Sequence, residues 1–521
     1  MTPVSNRRSV LLGSLAVGAL SSGPAIAKAS NPVAKTSSGL VQGVNDKAIL
    51  AFKGIPYGAD TRGRRFQAPL PPRAWHSVRK TLAYGAASPQ SRGETNQNED
   101  CLYLNVWTPA LRDGAKRPVM FYIHGGAYSN GSGSAAIYDG VNLCKRGDVV
   151  VVTINHRLNA FGYLYLGMMD DRFADSGNAG QLDILLALKW VQENIAEFGG
   201  DPNRVMVFGQ SGGGAKIATM MAMPAARGLF HRATSMSGQQ VTASGPLHAT
   251  ERAEAFLKTL GIARSNLDDL NTIATDKLVA ALATKDPIIG SGGVYFGPVL
   301  DMRSLQRHPF YPDAPAQSAD IPMMIGNTHD ETRAFITDPG VYTLSWDELP
   351  DRLNKNLRVD ISPTVVIEQY KSWFPGISAT ELFFRATTAG RSWRAAIIED
   401  EERAKAGAPA YAYQVDWACP DPKRGAQHMT DIPLAFDNTD KEGAITGNDE
   451  RARHMAAVMS ETFIAFAKSG NPNNKLLPQW TPYSLAKRET MVFDLPPHLD
   501  EDPRGRERKL FEKVPFVQQG T

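Results

Sequence analysis

Cysteine is scarce: Cys101, Cys144 and Cys419 are the only 3 in 521 residues. They allow at most one disulfide, and none has the paired spacing of a zinc site, so stability has to come from a packed core. An excess of one charge is also missing. Lys and Arg number 56 against 53 Asp and Glu, and a formal charge of +3 gives no basic field for nucleic acid, which is therefore not an expected partner. The chain has no internal repeat and no low-complexity linker. Long apolar runs are absent too: the longest, Val10–Leu20, is broken by Gly13, Ser14 and Gly18 and is too short to span a bilayer.

That run reads as a signal peptide. Asn6-Arg7-Arg8-Ser9-Val10-Leu11 opens it, and Ala25-Ile26-Ala27, a small-x-small cleavage pattern, follows and would leave Lys28 as the first mature residue. The twin arginines point to a Tat-type signal over residues 1–27, with an ordinary Sec signal as the alternative. The expected location is periplasmic or secreted, with no membrane span in the mature chain. Export of an already folded chain agrees with the few cysteines.

What is present is the balance of a well-cored globular protein, 42% hydrophobic and 21% charged with 46 Gly and 34 Pro. Between about residues 118 and 225 short apolar runs alternate with helical patterns, which predicts a parallel sheet. Val119–Ile123, Val149–Ile154 and Val205–Phe208 are continuous and apolar, as strands covered on both faces require. Gln181–Phe198 carries Leu182, Leu185, Leu186, Lys189, Trp190 and Ile195 at helical spacing, with charges on the other face, and fits a crossover helix. Ile321–Ile325, Ala410–Val415 and Met491–Leu495 are further expected strands. Asp449–Lys468 is an amphipathic helix that stops at Gly470 with Pro472 beyond. The sign-alternating run Asp500–Lys509 reads as a solvated tail.

Arg204-Val-Met-Val-Phe-Gly209-Gln210-Ser211-Gly212-Gly213-Gly214 places G-x-S-x-G between a strand and a helix that Pro224 ends. The five-residue pattern alone is weak, since roughly one chain in four of this composition would contain it by chance. Its context is that of a nucleophile elbow, in which small residues let a sharp turn expose Ser211 and the helix N-terminus favours developing negative charge. Tyr122-Ile-His124-Gly125-Gly126-Ala127-Tyr128 directly follows the strand Val119–Ile123, so its backbone N–H groups emerge at the same sheet end as Ser211, as an oxyanion loop must.

Several further segments, in order, resemble the type B carboxylesterases, the family that includes the cholinesterases. They are Phe52-Lys-Gly-Ile-Pro-Tyr57, Glu99-Asp-Cys-Leu-Tyr-Leu-Asn105, Thr153-Ile-Asn-His-Arg157, Phe198-Gly-Gly-Asp-Pro-Asn203 and Gly470-Asn-Pro-Asn473. The resemblance covers nearly the whole mature chain. It implies an α/β-hydrolase fold: a central, mostly parallel twisted sheet flanked by helices. It further implies a single domain over residues 28–521, with helical capping insertions near 245–320 and 335–405. It also implies hydrolysis of small-molecule carboxylic esters with no metal and no organic cofactor.

Carried over residue by residue, the resemblance makes Ser211 the nucleophile, Glu331 in Gly326-Asn-Thr-His-Asp-Glu331 the acid, and His428 in Gly425-Ala-Gln-His428 the base. The oxyanion donors become the N–H groups of Gly126, Ala127 and Gly212, and Ser237 becomes the hydroxyl supporting the triad. The chain order serine, acid, histidine is the one the fold requires. The residues by themselves do not separate Glu331 from Asp330, nor do they exclude His454 or His498.

Departures from the family pattern are Gly212 for the usual Ala, Gln210 for Glu, Ala127 for a third Gly, and Thr332 for the glycine after the acid. Cys101 stands where relatives often have a bonded cysteine, but without a partner upstream it reads as a free buried thiol. The expected chemistry is acyl transfer through Ser211. Carbamate or amide cleavage with the same triad is one alternative, and a non-catalytic cholinesterase-like binding protein is another. Substrate selection is expected from Gly290–Phe296 and Ile336–Trp393, with Tyr128, Phe161, Phe296, Phe335, Phe383, Phe384 and Trp393 as candidate walls of an apolar gorge.

Overall fold

Among the described residues eleven strands hydrogen-bond into one sheet. In chain order they are β1 (Val44–Asp46), β2 (Ile49–Pro56), β3 (Tyr103–Thr108), β4 (Arg117–Ile123), β5 (Val150–Ile154), β6 (Gly200–Gln210), β7 (Arg232–Met236), β8 (Met323–Thr328), β9 (Ala410–Val415), β10 (Glu489–Phe493) and β11 (His498–Glu501). Across the sheet they run β1-β2-β3-β5-β4-β6-β7-β8-β9-β10-β11. From β5 to β10 every neighbouring pair is parallel, and the two ends of the sheet are antiparallel. The computed structural model describes residues 31–290, 292–518 and 520, so the expected signal peptide over 1–27 lies outside the described residues. Pro32–Thr521 cluster as one compact unit.

Helices α1 (Ala179–Asn194), α2 (Gly212–Met221), α3 (Pro246–Leu260), α4 (Ala379–Thr388), α5 (Arg394–Lys405), α6 (Glu450–Ser469) and α7 (Gly505–Phe511) are laid around the strands. A parallel sheet must be covered on both faces, and successive side chains divide between them. Phe121, Val152 and Val207 enter one core with Ile184 and Leu188 of α1 and Ile217 of α2. Tyr122, Val151 and Phe208 enter the other with Val458 and Phe463 of α6. The ends of α6 are capped as its sequence predicts, with the Asp449 carboxylate accepting from the Ala452 N–H at 2.8 Å and Gly470 at φ 77°.

Four expectations shift. The strand expected from Ile321 begins at Met323, after Pro322, which has no N–H for the ladder. The strand expected over Met491–Leu495 is Glu489–Phe493, because Asp494 turns the chain by accepting the Leu495 N–H. On α1 Lys189 and Glu193 are exposed, but Asp183 is fully buried and forms a two-pronged ion pair with the buried Arg157, at 2.6 and 2.8 Å. Removing either partner would strand the other's charge in the core, the costly case for a buried pair. The run 500–509 is not a solvated tail. Arg504 donates to Gln414 (3.0 Å) and to the His329 carbonyl (2.6 Å), and Glu507 accepts from the Tyr370 hydroxyl (2.9 Å). Arg504, Glu507 and Arg508 are buried, whereas Asp500, Glu501, Arg506 and Lys509 stay exposed.

Of the two expected capping stretches, 245–320 contributes α3, whose Phe256 and Leu257 pack with Tyr128 and Phe161. In 335–405, Phe383 and Phe384 of α4 build a separate core with Phe511 of α7, whereas α5 packs back on β8 and β9. The chain then returns over this region: Phe516 bridges Val359, and the Val517 N–H donates to the Arg358 carbonyl at 2.7 Å. Among the described residues no helix is long and apolar enough to cross a membrane.

Candidate active site

Parallel strands end at one edge of a sheet, and each expected site residue lies beyond such an end. Gly126 and Ala127 follow β4, Ser211 and Gly212 follow β6, Ser237 follows β7, Glu331 follows β8, and His428 lies on the loop after β9. Ile123 is paired with Gly209, which sets the turn after β4 beside the serine turn.

Ser211 has φ 56° and ψ −124°, a strained backbone for a residue with a side chain. Its N–H donates to the Met236 carbonyl (2.7 Å) and its own carbonyl accepts from Ala215 (3.0 Å). The turn closes because two positions have no Cβ. One built on Gly213 would lie 2.0 Å from the Ile123 carbonyl oxygen, and one on Gly212 would lie 2.0 Å from that of Ala127. The methyl missing at 212, a departure from the family pattern, makes room for the backbone at 127. The N–H groups of Gly126, Ala127 and Gly212 make no hydrogen bond with another described residue, and all three residues line the cavity that Ser211 lines.

The sequence reading missed the group that ties these turns together. The Lys216 ammonium, fully buried, donates to the Ala127 carbonyl (2.6 Å) and to the Gly212 carbonyl (3.2 Å), and sits 4.8 Å over the Tyr128 ring. Burial pushes its pKa down to about 7. The available signal was a single cation in the otherwise uncharged stretch that forms α2, one helical turn after Gly212.

Glu331 and His428 are buried and joined directly, Nδ1 of the ring to Oε2 of the carboxylate. The other oxygen accepts from the Thr328 N–H at 2.8 Å. Burial alone would raise the Glu331 carboxyl, but the His428 ring, its hydrogen bond and the Thr328 amide outweigh it and hold the group below its ordinary value. The Ser237 hydroxyl faces the same carboxylate and lowers its proton affinity without a hydrogen bond of good geometry. Nε2 of His428 has no partner among the described residues, and His428 lines the cavity with Ser211.

The alternatives left open by the sequence are separated by this arrangement. Asp330 turns away from the ring and accepts from the Ala426 N–H (3.0 Å), holding the loop that carries His428. His454 and His498 are exposed on α6 and β11. Thr332 bonds to the Phe384 carbonyl (3.1 Å) and to the Thr388 hydroxyl (3.0 Å), so the acid's loop is fastened to α4.

Beneath the pair lies a carboxyl that the sequence reading also missed. Asp431 is fully buried, neither oxygen has a partner, and burial together with the Glu331 charge pushes its pKa up to about 8. Between its ordinary value and about 8 it is protonated when folded and ionised when unfolded, so stability falls as pH rises. Asp431→Asn is expected to match wild type in unfolding free energy near pH 4 and to exceed it increasingly up to pH 8. The gain approaches about 1.4 kcal/mol per pH unit. Urea unfolding at pH 5 and pH 8 checks this, and parallel curves for the two proteins would contradict it.

The cavity measures about 450 Å³. Tyr128 and Phe335 line it as expected, as does Tyr295 from the expected stretch Gly290–Phe296, together with Phe516, which was not anticipated. Phe161 and Phe296 belong to the core around α3, and Phe383 and Phe384 to that around α4. Trp393 is buried with its N–H on Gln414 at 2.9 Å. Those four phenylalanines and the tryptophan are not gorge walls. Their apolar bulk satisfied a core, which the sequence pattern cannot tell from a pocket. All three cysteines are free and buried, and no cluster of metal-ligating residues occurs among the described residues.

A serine on a sharp turn, a histidine bonded to a carboxylate and amide N–H groups facing one cavity define an α/β-hydrolase site. The family described as the carboxylesterase family matches residues 30–511. Para-nitrobenzyl esterase of Bacillus subtilis (strain 168) is 36% identical over 92% of this chain and 99% of its own. Phenmedipham hydrolase of Pseudarthrobacter oxydans is 32% identical over 87% of this chain and 92% of its own. The crystal structure of a Geobacillus stearothermophilus carboxylesterase superposes with a TM-score of 0.83 at 37% identity, covering 92% of this chain and 99% of that one. The chain belongs to the carboxylesterase family and is a carboxylic-ester hydrolase.

Proposed function

We propose that the enzyme cleaves small-molecule carboxylic esters in two steps through an acyl-enzyme on Ser211. His428 takes the Ser211 proton at Nε2 as the hydroxyl oxygen attacks the ester carbonyl. Glu331 holds the ring by Nδ1 and stabilises its cation. The developing oxyanion is received by the N–H groups of Gly126, Ala127 and Gly212, each such donor commonly worth about 3 kcal/mol of barrier. Collapse of the tetrahedral intermediate expels the alcohol, which takes the proton from His428. A water then repeats the cycle, with the same ring as base, and releases the acid.

The observation that carries this reading is the His428–Glu331 bond beside a serine held at positive φ, in one cavity with unengaged N–H groups. The same residues could attack a carbamate or amide, which a substrate panel separates from an ester. The test is active-site labelling. Diisopropyl fluorophosphate should abolish p-nitrophenyl butanoate hydrolysis in proportion to one phosphoryl group incorporated, and peptide mapping should place that group on Ser211. Complete inactivation with the label on another residue would refute the mechanism.

A further inference from the structure

The cavity wall carries charge of one sign. Arg92, Arg358 and Arg391 line it, and no Asp or Glu does among the described residues. Gln210, where the family usually has Glu, also lines it and removes a carboxylate from beside the serine. Arg391 differs from three buried arginines that pair with acids. Arg65, Arg157 and Arg252 each hold a carboxylate, at 2.6, 2.6 and 2.8 Å. Arg391 forms no ion pair with a described residue and instead stacks over the Phe335 ring at 4.1 Å. Phe335 in turn packs on the His428 imidazole, ring centroids 4.6 Å apart. Among the described residues the carboxylate that acts on Arg391 is Glu331, already bonded to His428 and the Thr328 N–H.

The backbone is shaped for this placement. Ala389–Trp393 is a π-turn between α4 and α5, the local widening that recurs in helices at functional sites, and it presents Arg391 and Ser392 to the cavity. Burial and the neighbouring Arg358 lower the Arg391 pKa to about 10, so it stays cationic at neutral pH. A guanidinium with one face on an aromatic ring keeps its N–H edge for a planar anion, and carboxylate is the group that edge fits.

We propose that the preferred esters carry a second, free carboxylate, bound by Arg391 with the charge of Arg358 behind it, while their scissile carbonyl lies at Ser211. This rests on the serine-esterase reading above and adds the substrate class: half-esters of dicarboxylic acids, or esters of hydroxy acids. Both present the same anion to the same arginines and differ in which side of the scissile bond carries it.

Two matched pairs test this on the full chain: mono-p-nitrophenyl adipate against p-nitrophenyl hexanoate, and para-carboxyphenyl butanoate against phenyl butanoate. In at least one pair kcat/KM should favour the anionic ester by about tenfold or more, and the pair that does so names the side. Arg391→Met should cut that anionic-to-neutral ratio by roughly ten- to a hundredfold, and Arg391→Lys should restore part of it. Raising the salt concentration on the wild type, which needs no variant, should lower the ratio as well. A ratio near one or favouring the neutral ester in both pairs, or a preference indifferent to both salt and Arg391→Met, overturns the inference and leaves the esterase reading intact. Failure to hydrolyse any of the four esters overturns both.

Discussion

Ser211→Ala is expected to reduce kcat on p-nitrophenyl butanoate by roughly a millionfold, the scale seen when the nucleophile of such a unit is removed. Among the described residues nothing else lining the cavity replaces it: no cysteine lines it, and the other lining serines, Ser129, Ser237 and Ser392, are not at the β6 turn. Residual catalysis of about a thousandfold or more over water should survive, because binding and the N–H groups of Gly126, Ala127 and Gly212 remain. Stability should barely change. The backbone keeps φ 56° with an alanine at 211, and a methyl fits where the hydroxymethyl stood. The check is kcat beside an unfolding midpoint. A variant that folds and retains a hundredth of the wild-type rate would mean another group attacks the ester.

The parts of this site that were legible in the sequence are those made within one short segment. The turn at Ser211 depends on glycines one to three residues away, and the strand before it and the helix after it are continuous apolar runs. The loop at Gly126 is placed by the strand it follows. Adjacency of the two turns then follows from parallel pairing, which the alternation of strands and helices already implies. Identity of the acid is different. Asp330 and Glu331 are consecutive, equally acidic and equally close to the end of β8, and only the fold turns one carboxylate to Ala426 and the other to His428.

The cavity wall was legible only by stretch: Tyr295, Arg358 and Arg391 come from the stretches expected to supply it, but no local pattern singled them out, and Phe516 arrives from outside both. Charge pattern misled at residues 500–509 for a related reason. Alternating signs look the same whether the partner is water or, as for Arg504 and Glu507, a buried side chain. Asp431 gave no warning at all. One acid three residues after His428 resembles any helix-start aspartate, and its unpartnered burial is a property of the packed molecule.

Glu331→Gln is expected to cost about a thousand- to ten-thousandfold in kcat while leaving KM nearly unchanged. An amide keeps the volume and can keep the Thr328 bond, but it offers His428 Nδ1 an NH2 as readily as an oxygen. The ring can then settle with its proton on Nε2, facing Ser211 as a donor when a base is needed. The missing charge also leaves the imidazolium of the transition state unbalanced.

The same substitution has a consequence for stability with a definite sign. The Glu331 carboxyl is held below its ordinary value when folded, so the stability it contributes is present above that ordinary value and is lost as pH falls through the folded one. Glu331→Gln should therefore flatten the acid limb of the stability curve. Its charge is also one of the two causes that raise Asp431. Removing it should move the Asp431 titration to lower pH, so that the decline in stability toward pH 8 ends earlier than in wild type. An activity loss with both limbs of the curve unchanged would mean that the carboxylate is not the charge these groups feel.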